Sequence, residues 1–307
     1  MINGSKPNLS GVFSAALTRQ TADGSPDLEG LVAHCRWLLA NGCDGLAILG
    51  TTGEANSFSI DERIAIMEAL IEAGIPGSVL MPGTGCCAAP DTVALTKHAV
   101  ELGAAGVLAL PPFYYKGVSD DGLVAAFSEV IERVGDGRLR LYLYHFPQMS
   151  GVPVPFGVIE SLLKRYPDIV AGMKDSSGNL DNMAGAAKAF PGFEVFSGAD
   201  DLFHPLLEAG GVGCITACCN IASTLLGKLY ADWIEPGAKA LHEQAAAVRK
   251  VCASYPLVPA LKETMARHTG DDGWRTMRAP LTVLSDADAR VLGDKLAATG
   301  LVVPPVP

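Results

Sequence analysis

Apolar residues recur along this chain in two alternating rhythms. Short β-type runs give way to stretches with an apolar position every three or four residues. The first β-type run is Gly11–Thr18. After it, Leu28, Leu31, Val32, Cys35, Leu38 and Leu39 form a helical stripe that opens at about Asp27 and stops at Asn41–Gly42, a helix-ending pair. Gly45–Gly50 reads as a second strand. Ser59-x-x-Glu62 is a capping box and starts a helix with Ile60, Ile64, Met67 and Ile71 on one face. Further strands are expected at Ser78–Met81, Gly106–Leu110, Leu139–Phe146, Ile169–Lys174, Phe193–Ser197 and Gly213–Ala217. Helices are expected at about Pro90–Leu102, through Leu123, Phe127, Val130 and Val134, and at about Pro155–Tyr166, Leu180–Phe190 and Asp201–Ala209. A last one reaches about Trp233.

Strict β-then-α alternation implies a parallel sheet. Eight units in residues 1–235 predict an α/β fold of the (β/α)8 TIM-barrel type rather than a doubly wound sheet. No G-x-G-x-x-G follows the first strand, which weighs against a dinucleotide-binding sheet. Residues 236–307 read as a C-terminal helical region packed on the barrel. Helical patterns run over Gly237–Ala253 and Val258–His268, and Ser285-x-x-Asp288 caps a helix to about Ala298. The Pro-rich tail Val302–Pro307 is expected to fray.

Composition narrows the function classes. Hydrophobic residues are 49% of the 307 and charged residues 18%, a globular balance suited to a strand layer buried on both faces. The formal net charge is -10 and no Lys/Arg run occurs, so no nucleic-acid partner is expected. Apolar stretches break well short of a membrane span. Met1–Asn8 is polar with no apolar signal region, so a cytoplasmic location is expected. The eight cysteines include the adjacent pairs Cys86–Cys87 and Cys218–Cys219 but no C-x-x-C, which reads as reduced and mostly buried thiols. Six histidines show no metal-binding spacing, so neither metal nor cofactor is expected.

Catalytic groups of such barrels sit where strands end and βα loops begin. Three junctions stand out. Gly50-Thr51-Thr52-Gly53-Glu54 is a polar turn whose N–H groups suit an anion, or else an ordinary Gly/Thr turn. In Leu141–Pro147, Tyr142 and Tyr144 share one face and His145 the other, so the tyrosines face the barrel axis or are simply core. If they face the axis, Tyr144 lies at the mouth as an acid/base. Lys174 ends the apolar run Ile169–Met173, and Gly172 on the same face leaves space beside the amine. Lys174 is either a desolvated nucleophile or an ion-pair partner of Asp175.

Together GTTGE at Gly50–Glu54, YHFP at Tyr144–Pro147 and GMKDSSG at Gly172–Gly178 resemble the dihydrodipicolinate synthase / N-acetylneuraminate lyase family of class I aldolases. Order, spacing and strand placement match over nearly the whole chain. The resemblance implies a lyase that binds a small 2-oxo acid, with Lys174 as Schiff-base lysine and Tyr144 as proton shuttle. It implies Thr51 as relay and Thr52 with the Gly50 turn as carboxylate cradle. Tyr114 matches a tyrosine donated across a dimer interface; Tyr115 is the alternative, because this loop is one residue longer than usual. Ile215 matches a pocket-lining position, and Gly198 and Ala199 a substrate-contacting stretch. The resemblance also implies a homotetramer built from dimers.

One position departs from the synthase pattern. Met149 stands where synthases that use aspartate semialdehyde carry an Arg, and methionine cannot form a bidentate ion pair. The expected reaction is therefore aldol cleavage, condensation or dehydration of a 2-keto-3-deoxy sugar acid. 4-Hydroxy-tetrahydrodipicolinate synthesis is the alternative. From another class, the alternative is a regulatory barrel that binds pyruvate without turnover.

Overall fold

A computed structural model of the protein describes residues 9–306; the polar Met1–Asn8 stretch and Pro307 lie outside the described residues. The strands are β1 (Gly11–Ser14), β2 (Gly45–Leu46), β3 (Val107–Ala109), β4 (Leu141–His145), β5 (Val170–Asp175), β6 (Glu194–Ser197) and β7 (Gly213–Thr216). Among the described residues they form one parallel sheet of seven strands in the order β2-β1-β7-β6-β5-β4-β3.

The strand expected at Ser78–Met81 is instead a 3-10 turn over Gly77–Val79, followed by two isolated bridging residues, Leu80 to Leu46 and Gly83 to Leu108. Val79 and Leu80 donate back to Pro76 and Gly77. Gly77 lies so close to the end of the next helix, Ala89–Glu101, that a Cβ there would meet the Leu102 carbonyl at 2.4 Å. Beyond the turn the chain extends. Met81 N–H donates to Leu46 and Gly83 N–H to Ile48, each at 2.8 Å, while Leu108 N–H donates to Pro82 at 2.9 Å. The segment thus hydrogen-bonds to both edges of the sheet. The second strand is also shorter than expected, because Leu49 takes φ 55 and turns the chain.

Each strand is followed by helix. In chain order these are α1 (Leu28–Ala40), α2 (Ile60–Glu72), α3 (Ala89–Glu101), α4 (Asp120–Val134), the short α5 (Pro147–Ser150), α6 (Phe156–Arg165), α7 (Leu180–Ala189), α8 (Phe203–Glu208) and α9 (Cys219–Ala231). Their starts are chemically specified. Asp27 accepts from Gly30 N–H at the head of α1, and both halves of the Ser59–Glu62 capping box form at α2. Leu123, Phe127, Val130, Ile131 and Val134 make one buried face of α4. Each such side chain contributes about 1.5–3 kcal/mol on full burial.

Alternation along the strands separates two cores. Phe13, Ala47, Met81, Leu108, Tyr142, Phe196 and Ile215 cluster inside the curl of the sheet. A larger cluster fills the layer between sheet and helices. Three further helices follow: α10 (Ala238–Ala253), α11 (Leu257–Thr269) and α12 (Asp286–Ala298). Their Val248, Cys252, Leu261, Met265 and Leu292 belong to the same outer cluster as Leu38 and Leu206, so they share its core.

The tail corrects the expectation of fraying. Trp37 Nε1–H donates to the Pro305 carbonyl at 3.0 Å, and His268 Nε2 lies 2.7 Å from that of Pro304. The cysteines are all free thiols; Cys87 is exposed, Cys86 intermediate and the other six buried. Among the described residues no helix is long and apolar enough to cross a membrane.

Candidate active site

β4 and β5 run side by side in register, with Tyr144 opposite Lys174 and His145 opposite Asp175. Alternation then sorts the four side chains. Lys174 and Tyr144 point into the curl of the sheet; His145 and Asp175 point toward the helices. The Lys174 Nζ sits 4.5 Å from the centroid of the Tyr144 ring, and both residues are buried, at 5% and 4% exposure. Among the described residues Lys174 has no ion-pair partner. Asp175, the partner that sequence left open, is engaged elsewhere: it accepts from Ser177 N–H and from Asn182 Nδ2, each at 2.7 Å. The amine is therefore buried beside an aromatic face with no carboxylate to hold its charge.

Gly172 has a different reason from the one expected. A Cβ there would lie 2.1 Å from the Glu194 carbonyl, so its absence admits the neighbouring strand β6 rather than the amine. His145 is structural. Its Nδ1 accepts from Val154 N–H at 3.0 Å, and burial lowers its pKa against the opposing pull of Asp175. Tyr142 lies one layer deeper than Tyr144. Its hydroxyl donates to buried Glu194, which Arg140 also engages at 2.6 Å. Burial, then Glu194, raises the Tyr142 pKa, so this hydroxyl stays protonated.

The Gly50–Glu54 turn faces Tyr144. Gly50, Thr51, Leu49, Asn56 and Leu110 line one narrow cavity with the tyrosine. Thr52 is buried and Thr51 partly so. Among the described residues the N–H groups of Thr51, Thr52 and Gly53 donate to no protein acceptor, although the Thr51 carbonyl accepts from Glu54 at 3.1 Å. Ile215 sits in the inner cluster on β7. Gly198 and Ala199 follow β6, where Gly198 N–H donates to the Asp175 carbonyl at 2.7 Å. These groups converge on the C-terminal ends of the strands. A larger depression of about 1260 Å³ opens at the opposite ends, beside Arg140, Tyr166, Phe190 and Glu194, far along the strands from Lys174.

Other expected residues stay apart within one chain. Tyr114 and Tyr115 stack edge to face on each other and are 74% and 72% exposed. Met149, on α5, is 61% exposed.

Two buried features escaped sequence reasoning. Asp200, next to Ala199, accepts from Thr216 Oγ1 at 2.6 Å, and burial pushes its pKa up to about 6. Glu54 forms a fully buried ion pair with Lys262 of α11. The signal available for the latter was a lysine on the buried stripe Val258, Leu261, Met265.

Known proteins resemble this chain along nearly its whole length. Residues 8–299 match the dihydrodipicolinate synthetase family. An uncharacterized DapA-like lyase of Chloroflexus aurantiacus is 35% identical, over 92% of this chain and 94% of its own. The 4-hydroxy-tetrahydrodipicolinate synthase of Agrobacterium fabrum is 31% identical, over 95% and 99%. Among solved structures, dihydrodipicolinate synthase from Agrobacterium tumefaciens superposes with a TM-score of 0.89 at 30% identity, covering 95% of this chain and 99% of that one. The Escherichia coli prophage protein YagE, solved with pyruvate, does so at 0.86 and 27% identity, covering 96% and 99%. A family match over residues 8–299, with relatives and a solved structure at 30% identity or more over nearly the whole chain, makes it a lyase of the dihydrodipicolinate synthetase family.

Proposed function

We propose that the protein forms an imine between Lys174 and a pyruvate-type 2-oxo acid, and that it cleaves, forms or dehydrates a 2-keto-3-deoxy sugar acid. The observation that carries this reading is the Lys174 amine, buried beside Tyr144 with no carboxylate partner. Pyruvate bound to the similar protein YagE supports the same substrate class.

The chemistry follows from the placement. The neutral amine attacks C2 of the 2-oxo acid, and loss of water leaves a protonated imine. That imine accepts the electron pair of the C3–C4 bond as the C4 hydroxyl loses its proton, releasing an aldehyde and an enamine. Protonation at C3 and hydrolysis return pyruvate and the amine. Dehydration uses the same imine, with C3 losing a proton and a hydroxyl leaving from C4. Tyr144 is the group that takes and returns the proton, with Thr51 as relay. The N–H groups of the Gly50–Gly53 turn, with Thr52, hold the carboxylate by charge-assisted hydrogen bonds. Ile215, Gly198 and Ala199 line the substrate. Tyr114, or Tyr115 beside it, completes the relay from a second copy of the chain, which fits two adjacent tyrosines left exposed here. The assembly is then a homotetramer of dimers. The segment after the Gly77–Val79 turn acts as the eighth stave of a (β/α)8 barrel, with residues 236–307 as the helical region on it.

Some relatives are named 4-hydroxy-tetrahydrodipicolinate synthase. Met149 disfavours that reaction here, since a thioether offers a second carboxylate no ion pair. Incubation with pyruvate, borohydride reduction and peptide mass mapping tests the reading. An adduct on Lys174 is expected; none, or one elsewhere, overturns it. A screen of 2-keto-3-deoxy sugar acids, N-acetylneuraminate, and aspartate semialdehyde with pyruvate identifies the reaction. An adduct without turnover of any of them favours a regulatory barrel.

A further inference from the structure

Glu54 ends the turn that faces Tyr144, yet its side chain points away from the cavity. It takes a left-handed conformation, φ 57 and ψ 31, which a residue with a Cβ adopts only when its surroundings hold it there. Three groups do so. Lys262 of α11 pairs with one carboxylate oxygen, and both side chains are fully buried. Gln20 Nε2 donates to the other oxygen at 2.9 Å. Lys262 Nζ also donates to the Thr276 carbonyl at 2.9 Å, tying the pair to the segment after α11. One residue earlier, the Gly53 carbonyl accepts from Thr18 Oγ1 at 2.8 Å.

Burying two charges for stability alone is a poor bargain, since desolvation offsets most of their attraction and apolar residues of equal volume do as well. A buried ion pair does supply direction. Here it adjoins the N–H groups of Thr51, Thr52 and Gly53, which have no acceptor among the described residues. Nearby, Arg278 adds a second tie from the same C-terminal segment: it pairs with Glu62 and donates to the Ser57 carbonyl at 2.5 Å.

We propose that Lys262 is a positioning residue for the carboxylate-binding turn, aiming the Thr51–Gly53 N–H groups at the substrate through its buried ion pair with Glu54. The inference rests on the imine reading above. It adds that the C-terminal helices are part of the substrate-recognition apparatus, and that Lys262 and Glu54 govern affinity for the carboxylate without touching it.

The test compares pyruvate with pyruvamide, which has the same reactive carbonyl but no carboxylate. Adducts at Lys174 are trapped with borohydride and counted by mass across a concentration series. Wild type, Glu54→Gln, Lys262→Met and Gln20→Leu are compared. In Glu54→Gln and Lys262→Met the half-saturating pyruvate concentration rises about 10- to 100-fold, the worth of one misaimed charge-assisted hydrogen bond, while the pyruvamide curve stays in place. Gln20→Leu, which removes only a neutral donor, shifts pyruvate in the same direction by less. If either charged-pair variant fails to fold, Gln20→Leu decides. Equal shifts for both ligands, or no shift in folded variants, overturn the proposal. No adduct in wild type overturns the imine reading itself, and the inference falls with it.

Discussion

Replacing Lys174 with Met separates a reactive amine from a structural one, because only the structural reading predicts a substantial loss of stability. The side chains are similar in volume, so packing changes little. Lys174 is 5% exposed and has no ion pair among the described residues. Burying a polar group without a hydrogen bond costs about 1–3 kcal/mol in proteins. Against that stands one favourable contact, the ammonium 4.5 Å from the Tyr144 ring centroid. Such a contact contributes about 0.5–2 kcal/mol. The balance puts Lys174→Met between a loss of about 1 kcal/mol and a gain of about 2.5 kcal/mol. In a chain of this size the upper end is a rise in melting temperature of at most roughly 10 °C. Thermal melts by circular dichroism read the stability, and pyruvate with borohydride reads the adduct. A melting temperature lowered by more than about 4 °C, equivalent to 1 kcal/mol or more, would refute the reasoning by showing that the amine holds the fold together.

Three other outcomes follow. Tyr144→Phe keeps the ring against Lys174 but removes the proton carrier, so turnover falls about 10²- to 10⁴-fold while the pyruvate adduct still forms; unchanged turnover on the true substrate would remove Tyr144 from the relay. Gly172→Ala forces a Cβ to within 2.1 Å of the Glu194 carbonyl, so β5 and β6 must separate. Overpacking of this kind costs about 1–3 kcal/mol, and an unaltered melting temperature would contradict the strand-contact explanation. Glu62 is held at about 2, against an ordinary 4.5, chiefly by its hydrogen bond from Arg278. A depressed carboxylate stabilises the fold above its unfolded pKa and loses that contribution as pH falls from about 4.5 to about 2. Glu62→Gln should flatten the stability–pH curve there, and parallel curves would count against the pair.

Local chemistry made much of this fold legible. The Ser59–Glu62 capping box forms as read, and Ser285 accepts from Asp288 N–H at 3.1 Å. Both depend on residues three apart. The adjacency of Lys174 and Tyr144 was legible because each lies one residue before the end of its strand, and strand ends face one rim. The failures have physical causes. Ser78–Met81 is a short apolar run, and periodicity cannot separate a strand from a 3-10 turn when a tight contact at Gly77 decides. The shortening of β2 hangs on one residue, Leu49, adopting a left-handed backbone that its side chain does not announce. Hydrogen bonds from Trp37 and His268 hold a tail whose own composition points to disorder. The Glu54–Lys262 pair joins residues far apart in the chain, and each charge alone looks like surface.

That pair also imposes an order on biosynthesis. Glu54 leaves the ribosome about 200 residues before Lys262, roughly 10–40 s at ordinary elongation rates. Throughout that interval the substrate turn carries a carboxylate whose buried partner has not been made, so it cannot close over it without leaving a charge stranded in the core. Nascent chains released before Lys262 should therefore keep that turn solvated and open to proteases and chaperones, however much of the sheet has formed.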